Sequence, residues 1–486
     1  MIPFSINGQT LYAEEGTTIL EAARAAGIRI PALCYLKDYT QGSACRMCLV
    51  QVKGIRNPVT ACNTKVGHDM EIRTDTEEIH ALRRQNLQLI ASNHRMDCTY
   101  CSRFPYCELN ALMREYGLDD RIFRYSRPEE YDRSAGHLVR DNSKCILCGR
   151  CMAACQKQGI EAIGLTGRGI MTRVTPGADR RKLSDTGCIG CGQCIQVCPV
   201  GALREKDDTR QVLNELHHHK KHVWAGITTE AAILLGECMR EEAGGVDPGR
   251  AAALLRLLGF EKVFRLDQFE ALALAQEEEE YKRRLKEGGC LPLISAGCPG
   301  TVQYVKKHHK ELIPFLASGG DKIKNFANYC RNTAAKEAGI RKEDLYLTVI
   351  STCTAEKNTA CEDVDACLTV RELAAMFRRS CVSDFTALEV WNGLKEAAFD
   401  RAKGLEIPAE QPQAASADSG AVLGLAQLEE GIRAGVSYIR CSACPGGCLN
   451  GGGAPRVTAQ ELEEKEYLEK RKCALGAARA ESEANG

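Results

Sequence analysis

The chain opens on alternating apolar and polar residues, Pro3-Phe4-Ser5-Ile6 and then Thr10-Leu11-Tyr12, the period-two pattern of half-buried strands. A helical stretch near Thr18–Ala26 follows. This strand–strand–helix opening suits a small β-grasp ferredoxin-like domain ending near Thr74. Glu77–Ser92 reads as an amphipathic helix that leads into a cysteine-bearing unit. From His222 onward the texture changes. Short β-rich runs at Val263–Leu266, Leu291–Ile294, Leu345–Ile350 and Val436–Ile439 alternate with helical stretches at Thr229–Glu242, Phe269–Glu287 and Val302–Leu316. That order predicts an α/β domain with at least a partly parallel sheet. Ile407–Gly420, rich in Pro, Ala, Ser and Gln, is expected to be a flexible surface insertion.

Composition narrows the function classes. Of 486 residues, 44% are hydrophobic and 26% charged, which is globular, and 64 Lys+Arg balance 64 Asp+Glu. There is no basic field to attract nucleic acid. No apolar run is long enough to span a bilayer, and Met1–Gln9 lacks the layout of a signal peptide, so the expected location is cytoplasmic. The 27 cysteines change the picture most. Many fall in repeated C-x2-C units, which disulfide frameworks do not favour and metal ligation does.

Cys34, Cys45, Cys48 and Cys62 form C-x10-C-x2-C-x13-C, a close pair with two outliers that can wrap a [2Fe–2S] cluster. A zinc knot is the competing reading. His94, Cys98, Cys101 and Cys107 form H-x3-C-x2-C-x5-C, which suits either a [4Fe–4S] cluster with one imidazole ligand or zinc. Cys145, Cys148, Cys151 and Cys155 make C-x2-C-x2-C-x3-C, and Cys188, Cys191, Cys194 and Cys198 repeat it, closed by Pro199. In this two-cluster ferredoxin signature the fourth cysteine of each run serves the other cluster. One set is therefore Cys145, Cys148, Cys151 and Cys198, and the other Cys188, Cys191, Cys194 and Cys155. Farther on, Ser295-Ala296-Gly297-Cys298-Pro299-Gly300, Ser351-Thr352-Cys353-Thr354-Ala355-Glu356-Lys357 and Cys441-Ser442-Ala443-Cys444-Pro445-Gly446-Gly447-Cys448 each follow a strand-like run. Open α/β sheets build sites at such strand ends, so Cys298, Cys353, Cys444 and Cys448 read as one four-thiolate site.

These pieces resemble the three active-site signatures of [FeFe]-hydrogenases, and Asp363-Val364-Asp365-Ala366, Leu368-Thr369 and Arg371-Glu372-Leu373 match a further stretch of that family. The Cys34 and His94 units also resemble those of the large iron–sulfur subunit of respiratory complex I, which favours [4Fe–4S] at His94. The resemblance implies an α+β multidomain protein. Its parts are a β-grasp [2Fe–2S] ferredoxin domain (1–76), a one-His/three-Cys [4Fe–4S] domain (77–120), a two-[4Fe–4S] ferredoxin domain (136–210) and a hydrogenase-like α/β domain (220–486). It further implies that the four C-terminal cysteines hold a [4Fe–4S] cluster, with Cys448 bridging to a diiron centre.

The family's chemistry is altered at five places. A proton-passing cysteine is replaced by Gly297, and a lysine that grips a diiron ligand by Glu356. A Met-Pro pair is replaced by Ser351-Thr352 and a methionine by Ser442, while Lys357 is expected to point elsewhere. Glu277, Glu280 and Arg284 fall at the family's proton-relay positions, although Glu277-Glu278-Glu279-Glu280 reads first as a solvated helix face. Cys238, Cys290, Cys330, Cys361, Cys367, Cys381 and Cys473 are expected as buried or free thiols, His217-His218-His219 as an exposed linker turn, and Cys441 as an ambiguous ligand.

The expectation is an electron-transfer subunit derived from [FeFe]-hydrogenase, holding one [2Fe–2S] and four [4Fe–4S] clusters, with the diiron site lost. The alternative is a slow or sensory hydrogenase that retains it. No Gly-rich dinucleotide fingerprint and no flavin motif is present in the sequence. The expected partners are therefore a flavin-containing NADH-oxidising iron–sulfur subunit and a thioredoxin-like [2Fe–2S] subunit, with ferredoxin as a further candidate.

Overall fold

The computed structural model describes residues 1–40, 42–104, 106–118, 130–176, 182–218, 220–239, 246, 248–359, 363–380, 419–423, 425–433, 436–445, 447–457 and 466–484. At the N-terminus, strand Ile2–Ile6 pairs antiparallel with Gln9–Ala13 and parallel with Met70–Arg73. Met70–Arg73 pairs with Leu49–Val52, and that strand with Val59–Thr60, which completes a five-stranded sheet. Helix Ile19–Ala25 packs on it. Thr18 accepts from the Glu21 N–H while Glu21 reaches back to Thr18, a capping box that fixes the helix start. Phe4, Ile6, Ile19, Leu20, Val50 and Ile72 close the small core beneath.

Helix Glu77–Ser92 carries the chain to the short 3-10 turn Cys98–Tyr100 and then to helix Glu108–Glu115. The next unit is a three-stranded antiparallel sheet of Leu203–Glu205, Leu138–Asp141 and Tyr131–Asp132, with helices Arg150–Lys157 and Gln193–Gln196 above it.

The C-terminal region holds two parallel sheets. The first runs Lys262–Arg265, His222–Ile227, Leu345–Ser351, Ala366–Thr369. Leu345–Ser351 is buried at all seven positions, as a central parallel strand covered on both faces must be. The second runs Leu293–Ile294, Tyr438–Ser442, Ser419–Leu423. Helix Leu266–Glu287 starts three residues earlier than its pattern predicts. The run expected as one helix over Val302–Leu316 is helix Pro299–His308 followed by a 3-10 segment, Lys310–Phe315, that contains Pro314. Helix Thr229–Cys238 stops short of the expected Glu242, whose neighbourhood lies outside the described residues. Most of the expected insertion lies outside them too, and its last residues, Ser419 and Gly420, open a strand. His217 and His218 end helix Thr209–His218 rather than form a turn. Cys330 and Cys367 are buried, Cys290 and Cys473 exposed, and Cys361 and Cys381 lie outside the described residues.

Candidate functional site

Cys34, Cys45, Cys48 and Cys62 are all buried around one loop. Gly42, Ser43 and Arg46 take left-handed conformations there, with φ of 50°, 59° and 55°. A Cβ on Gly42 would lie 2.8 Å from Cys34 Sγ, so the backbone wraps close against the sulfur. Cys45 shares its proton with Cys34 and, with the Cys45 and Ala44 amides, brings Cys34 down to about 6 against the burial that raises it. Cys48 does the same for Cys62, helped by the Ser43 amide, again to about 6. Thiolates are the ligating form, and two of the four are stabilised before any metal arrives.

His94 is buried, and burial lowers it to about 4, so the imidazole is neutral. Its Nδ1 donates to the Lys144 carbonyl at 2.9 Å, the tautomer that leaves Nε2 as acceptor and potential ligand. Cys98 and Cys101 sit half-buried on the 3-10 turn. Cys107 is buried at the start of helix Glu108–Glu115, where burial pushes it up to about 11.

The ferredoxin unit joins its cysteines across the repeat. One small cavity is lined by Cys145, Cys148, Cys151 and Cys198 together. Burial raises Cys151, and Cys148, Cys145 and Cys198 reinforce the shift. Burial likewise raises Cys194, reinforced by Cys191, Cys188 and Cys155. Gly149 and Gly192, with φ of 81° and 68°, turn the chain into the two helices. Amides of Leu147 and Ala162 point at the sulfurs of Cys145 and Cys155, at 3.4 and 3.3 Å.

In the C-terminal region Cys298 precedes helix Pro299–His308, Cys353 follows Leu345–Ser351, and Cys444 and Cys448 follow Tyr438–Ser442. Burial raises Cys353, with Glu356, Cys444, Cys298 and Cys448 adding to it. The Ala443 amide donates to Cys298 Sγ at 3.4 Å. The glycines after Cys448 permit tight backbone contact. A Cβ on Gly451 would lie 2.3 Å from the Thr352 carbonyl, and Gly453 N–H donates to that same carbonyl at 2.8 Å. Cys441 is buried in a core with Ile294, Ile439 and Ala443, against which Cys298 and Cys191 also pack.

These thiol sets are neighbours. A Cβ on Gly201, three residues past Cys198, would lie 2.4 Å from Cys101 Sγ. Cys34, Cys45, Cys107, Cys151 and Cys198 share one buried core. Cys444 Sγ sits 3.8 Å from the Cys191 carbonyl. The thiols range from buried, as Cys151 and Cys444 are, to exposed at Cys448, and neighbouring thiols disfavour one another's anionic forms.

Residues 221–404 match the family described as iron only hydrogenase large subunit, C-terminal domain. Over that region the chain is similar to iron-only hydrogenases. Its N-terminal half matches the 2Fe-2S iron–sulfur cluster binding domain over residues 1–77 and the NADH-ubiquinone oxidoreductase-G iron–sulfur binding region over 83–121. Residues 139–204 match the 4Fe-4S dicluster domain. Among similar proteins, the NADP-reducing hydrogenase subunit HndD of Solidesulfovibrio fructosivorans is 29% identical, over 94% of this chain and 89% of its own length. Iron hydrogenase 1 of Clostridium pasteurianum is 28% identical, over 94% and 90%. An NADH-quinone oxidoreductase subunit of Rhizobium meliloti is 36% identical, over 42% of this chain and 24% of its own length.

The surroundings of the C-terminal thiols are charged. Glu356 is 2% exposed, and burial raises its carboxyl although Lys322 and Ser351 counter the shift. Lys357 points away. Its Nζ binds Asp208 Oδ2 at 2.7 Å, Glu372 Oε1 at 3.0 Å and the Cys367 carbonyl at 2.5 Å. Sequence reasoning missed Lys322, which lies 3.7 Å from both Glu356 and Glu270 and feels Cys448 and Glu230. A cation from another helix, Lys322–Tyr329, which carries no motif of its own, therefore stands beside Glu356.

Glu277 and Glu280 are not a solvated face. They are 1% and 7% exposed, because positions three or four apart on their helix (Phe269, Ala273, Glu277, Glu280) share its covered face. Glu277 accepts from Ser295 Oγ at 3.0 Å, the Ala296 amide at 2.8 Å and Tyr438 OH at 2.7 Å. Glu280 accepts from Ser318 and from Arg284 at the floor of a surface cavity of about 490 Å³. Ser295 Oγ in turn accepts from the Gly297 amide at 3.2 Å. Among the described residues no helix is long and apolar enough to cross a membrane.

Proposed function

We propose that this chain is an electron-transfer subunit of a multi-subunit oxidoreductase, descended from a hydrogenase whose diiron site it has lost. In this reading Cys34, Cys45, Cys48 and Cys62 hold a [2Fe–2S] cluster. Four [4Fe–4S] clusters belong to His94 with Cys98, Cys101 and Cys107, to the two exchanged ferredoxin sets, and to Cys298, Cys353, Cys444 and Cys448. One-electron exchange is the chemistry such clusters supply. The observation that carries the reading is the chain of contacts between thiol sets, Cys101 against Gly201 and Cys444 against Cys191, beside a pocket where Gly297 and Glu356 replace proton donor and cation. The names of the similar proteins, an NADP-reducing hydrogenase subunit and an NADH-quinone oxidoreductase subunit, support nucleotide-oxidising partners. A flavin-containing subunit and a thioredoxin-like [2Fe–2S] subunit fit that role, and ferredoxin is a further candidate.

Infrared spectroscopy of protein co-expressed with hydrogenase maturation proteins tests the reading. Expected are about 18 iron atoms per chain, no CO or CN stretching bands and no hydrogen evolution from a strong reductant. Sustained hydrogen evolution sinks it. CO and CN bands without turnover favour the second reading, a slow or sensory hydrogenase, which Lys322 and the buried Glu277–Ser295 contact support.

A further inference from the structure

The two ferredoxin sets are indistinguishable in motif, yet their surroundings differ in charge. Arg140 lines the cavity that holds Cys145, Cys148, Cys151 and Cys198, with Asp132 3.8 Å away and Glu130 also acting on it. Arg150 lies between Cys148 and Cys151 in sequence, is 1% exposed, and reaches Glu108 Oε1 at 2.8 Å. Arg103, also 1% exposed, stands 3.9 Å from the same Glu108 oxygen. Arg456 donates to the Leu203 carbonyl at 3.2 Å and stands 3.9 Å from Glu205. Each of the four leaves at least one buried guanidinium nitrogen without an acceptor. A buried cation short of partners is costly, so negative charge belongs beside it. The thiols these arginines sense are Cys145 and Cys151 for Arg140, Cys148 and Cys45 for Arg150, Cys198 and Cys107 for Arg103, and Cys198 for Arg456.

The other set has little of this. Lys307 donates to the Cys188 carbonyl from the surface, and His137, whose Nδ1 accepts from Asn358, presents one N–H to Cys188 Sγ at 3.4 Å. Glu161 adds negative charge at Cys155.

We propose that Arg103, Arg140, Arg150 and Arg456 make the Cys145–Cys148–Cys151–Cys198 site the more oxidising of the ferredoxin pair, so that electrons from both N-terminal sites collect there. Positive charge and N–H donors at the sulfurs favour the reduced, more negative cluster. The place suits a junction. Glu108 joins Arg103, beside the His94 set, to Arg150, beside the Cys45 set. The inference rests on the reading of these thiols as cluster ligands.

A redox titration of the full-length, iron-loaded chain followed by electron paramagnetic resonance tests it. Cys148→Ser and Cys191→Ser assign the two signals by which one each removes. The signal lost in Cys148→Ser is expected to reduce at least tenfold more favourably, about 59 mV for one electron. Arg140→Gln and Arg456→Gln should shift that signal downward and leave the other unmoved. Arg140→Lys should restore most of the shift, and Lys307→Gln should move only the second signal. Equal potentials, the reverse order, or arginine variants that move both signals together overturn the proposal. A wild-type chain with no four-iron signals would instead overturn the ligand reading beneath it.

Discussion

Cys444 Sγ lies 3.8 Å from the Cys191 backbone carbonyl, so one cysteine of the ferredoxin unit touches one of the hydrogenase-like region directly. The contact depends on glycine. A Cβ on Gly192, at φ of 68°, would come within 2.3 Å of Thr354 Oγ1 and 2.7 Å of Gly452 Cα. Gln193 and Gln196 then bind the Asn450 and Gly451 carbonyls across the same seam. Gly192→Ala should therefore cost about 1–3 kcal/mol through backbone strain, with more from the clash. Thermal unfolding of the full chain measures it. An unchanged midpoint would mean that the seam is loose.

Cys441 and Cys444 stand three residues apart and differ in their nearest charges, although Cys298 and Cys191 pack near both. Cys441 is buried among Ile294, Ile439 and Ala443, and Thr301 holds its carbonyl at 3.0 Å. Cys444 faces Cys298, Cys448 and Cys191, charges that reinforce the effect of its burial. Cys441→Ala should keep full iron content. Cys444→Ser should lose about four iron atoms per chain by colorimetric assay. The opposite pattern would exchange their roles.

The adjacent pair Glu356 and Lys357 separates pocket from scaffold. Lys357 Nζ ties Asp208 and Glu372 together at the edge of the first parallel sheet. Lys357→Met strands those carboxylates and should destabilise by about 3–5 kcal/mol, while the resonance signals of the folded protein stay unchanged. Lys322→Met should alter the C-terminal signal, because Lys322 is the cation that senses Cys448. If Lys357→Met altered that signal instead, the pocket would extend behind Glu356.

How much of this was legible in the sequence follows from how local each interaction is. The C-x2-C units announce themselves because neighbouring ligands sit within one turn of chain, and Cys298, Cys353 and Cys444 because each follows a strand. Lys322 left no trace, since its partners Glu270 and Glu356 come from distant segments. The arginines around Cys198 are equally silent. Arg103 and Arg456 meet only after folding, and nothing in either neighbourhood marks a counter-charge. The four glutamates at 277–280 misled for the converse reason. A run of like charge looks solvated, and only the fold shows that two of the four are covered, Glu277 by Ser295 and Tyr438 and Glu280 by Ser318 and Arg284.

Those two covered carboxyls should respond to pH in opposite directions. Burial raises Glu277 despite the hydrogen bonds from Tyr438, Ser295 and Ala296. Burial would raise Glu280 as well, but Ser318 and Arg284 outweigh it and hold that carboxyl below its ordinary range. A carboxyl raised in the fold stabilises it fully below the unfolded pKa, about 4.3 for glutamate, and loses that contribution as pH climbs through the folded value. Glu280 is the reverse. Its contribution is present above the unfolded value and fades only in acid. Wild-type protein should therefore lose stability as pH rises above the ordinary glutamate range, and Glu277→Gln should flatten that slope. Glu280→Gln should lower stability across the neutral range without changing the slope. Unfolding midpoints of the three proteins from about pH 4 to pH 8, which spans the rise from the unfolded glutamate value, decide it. Identical slopes for wild type and Glu277→Gln would return Glu277 to the solvated face that its sequence suggests.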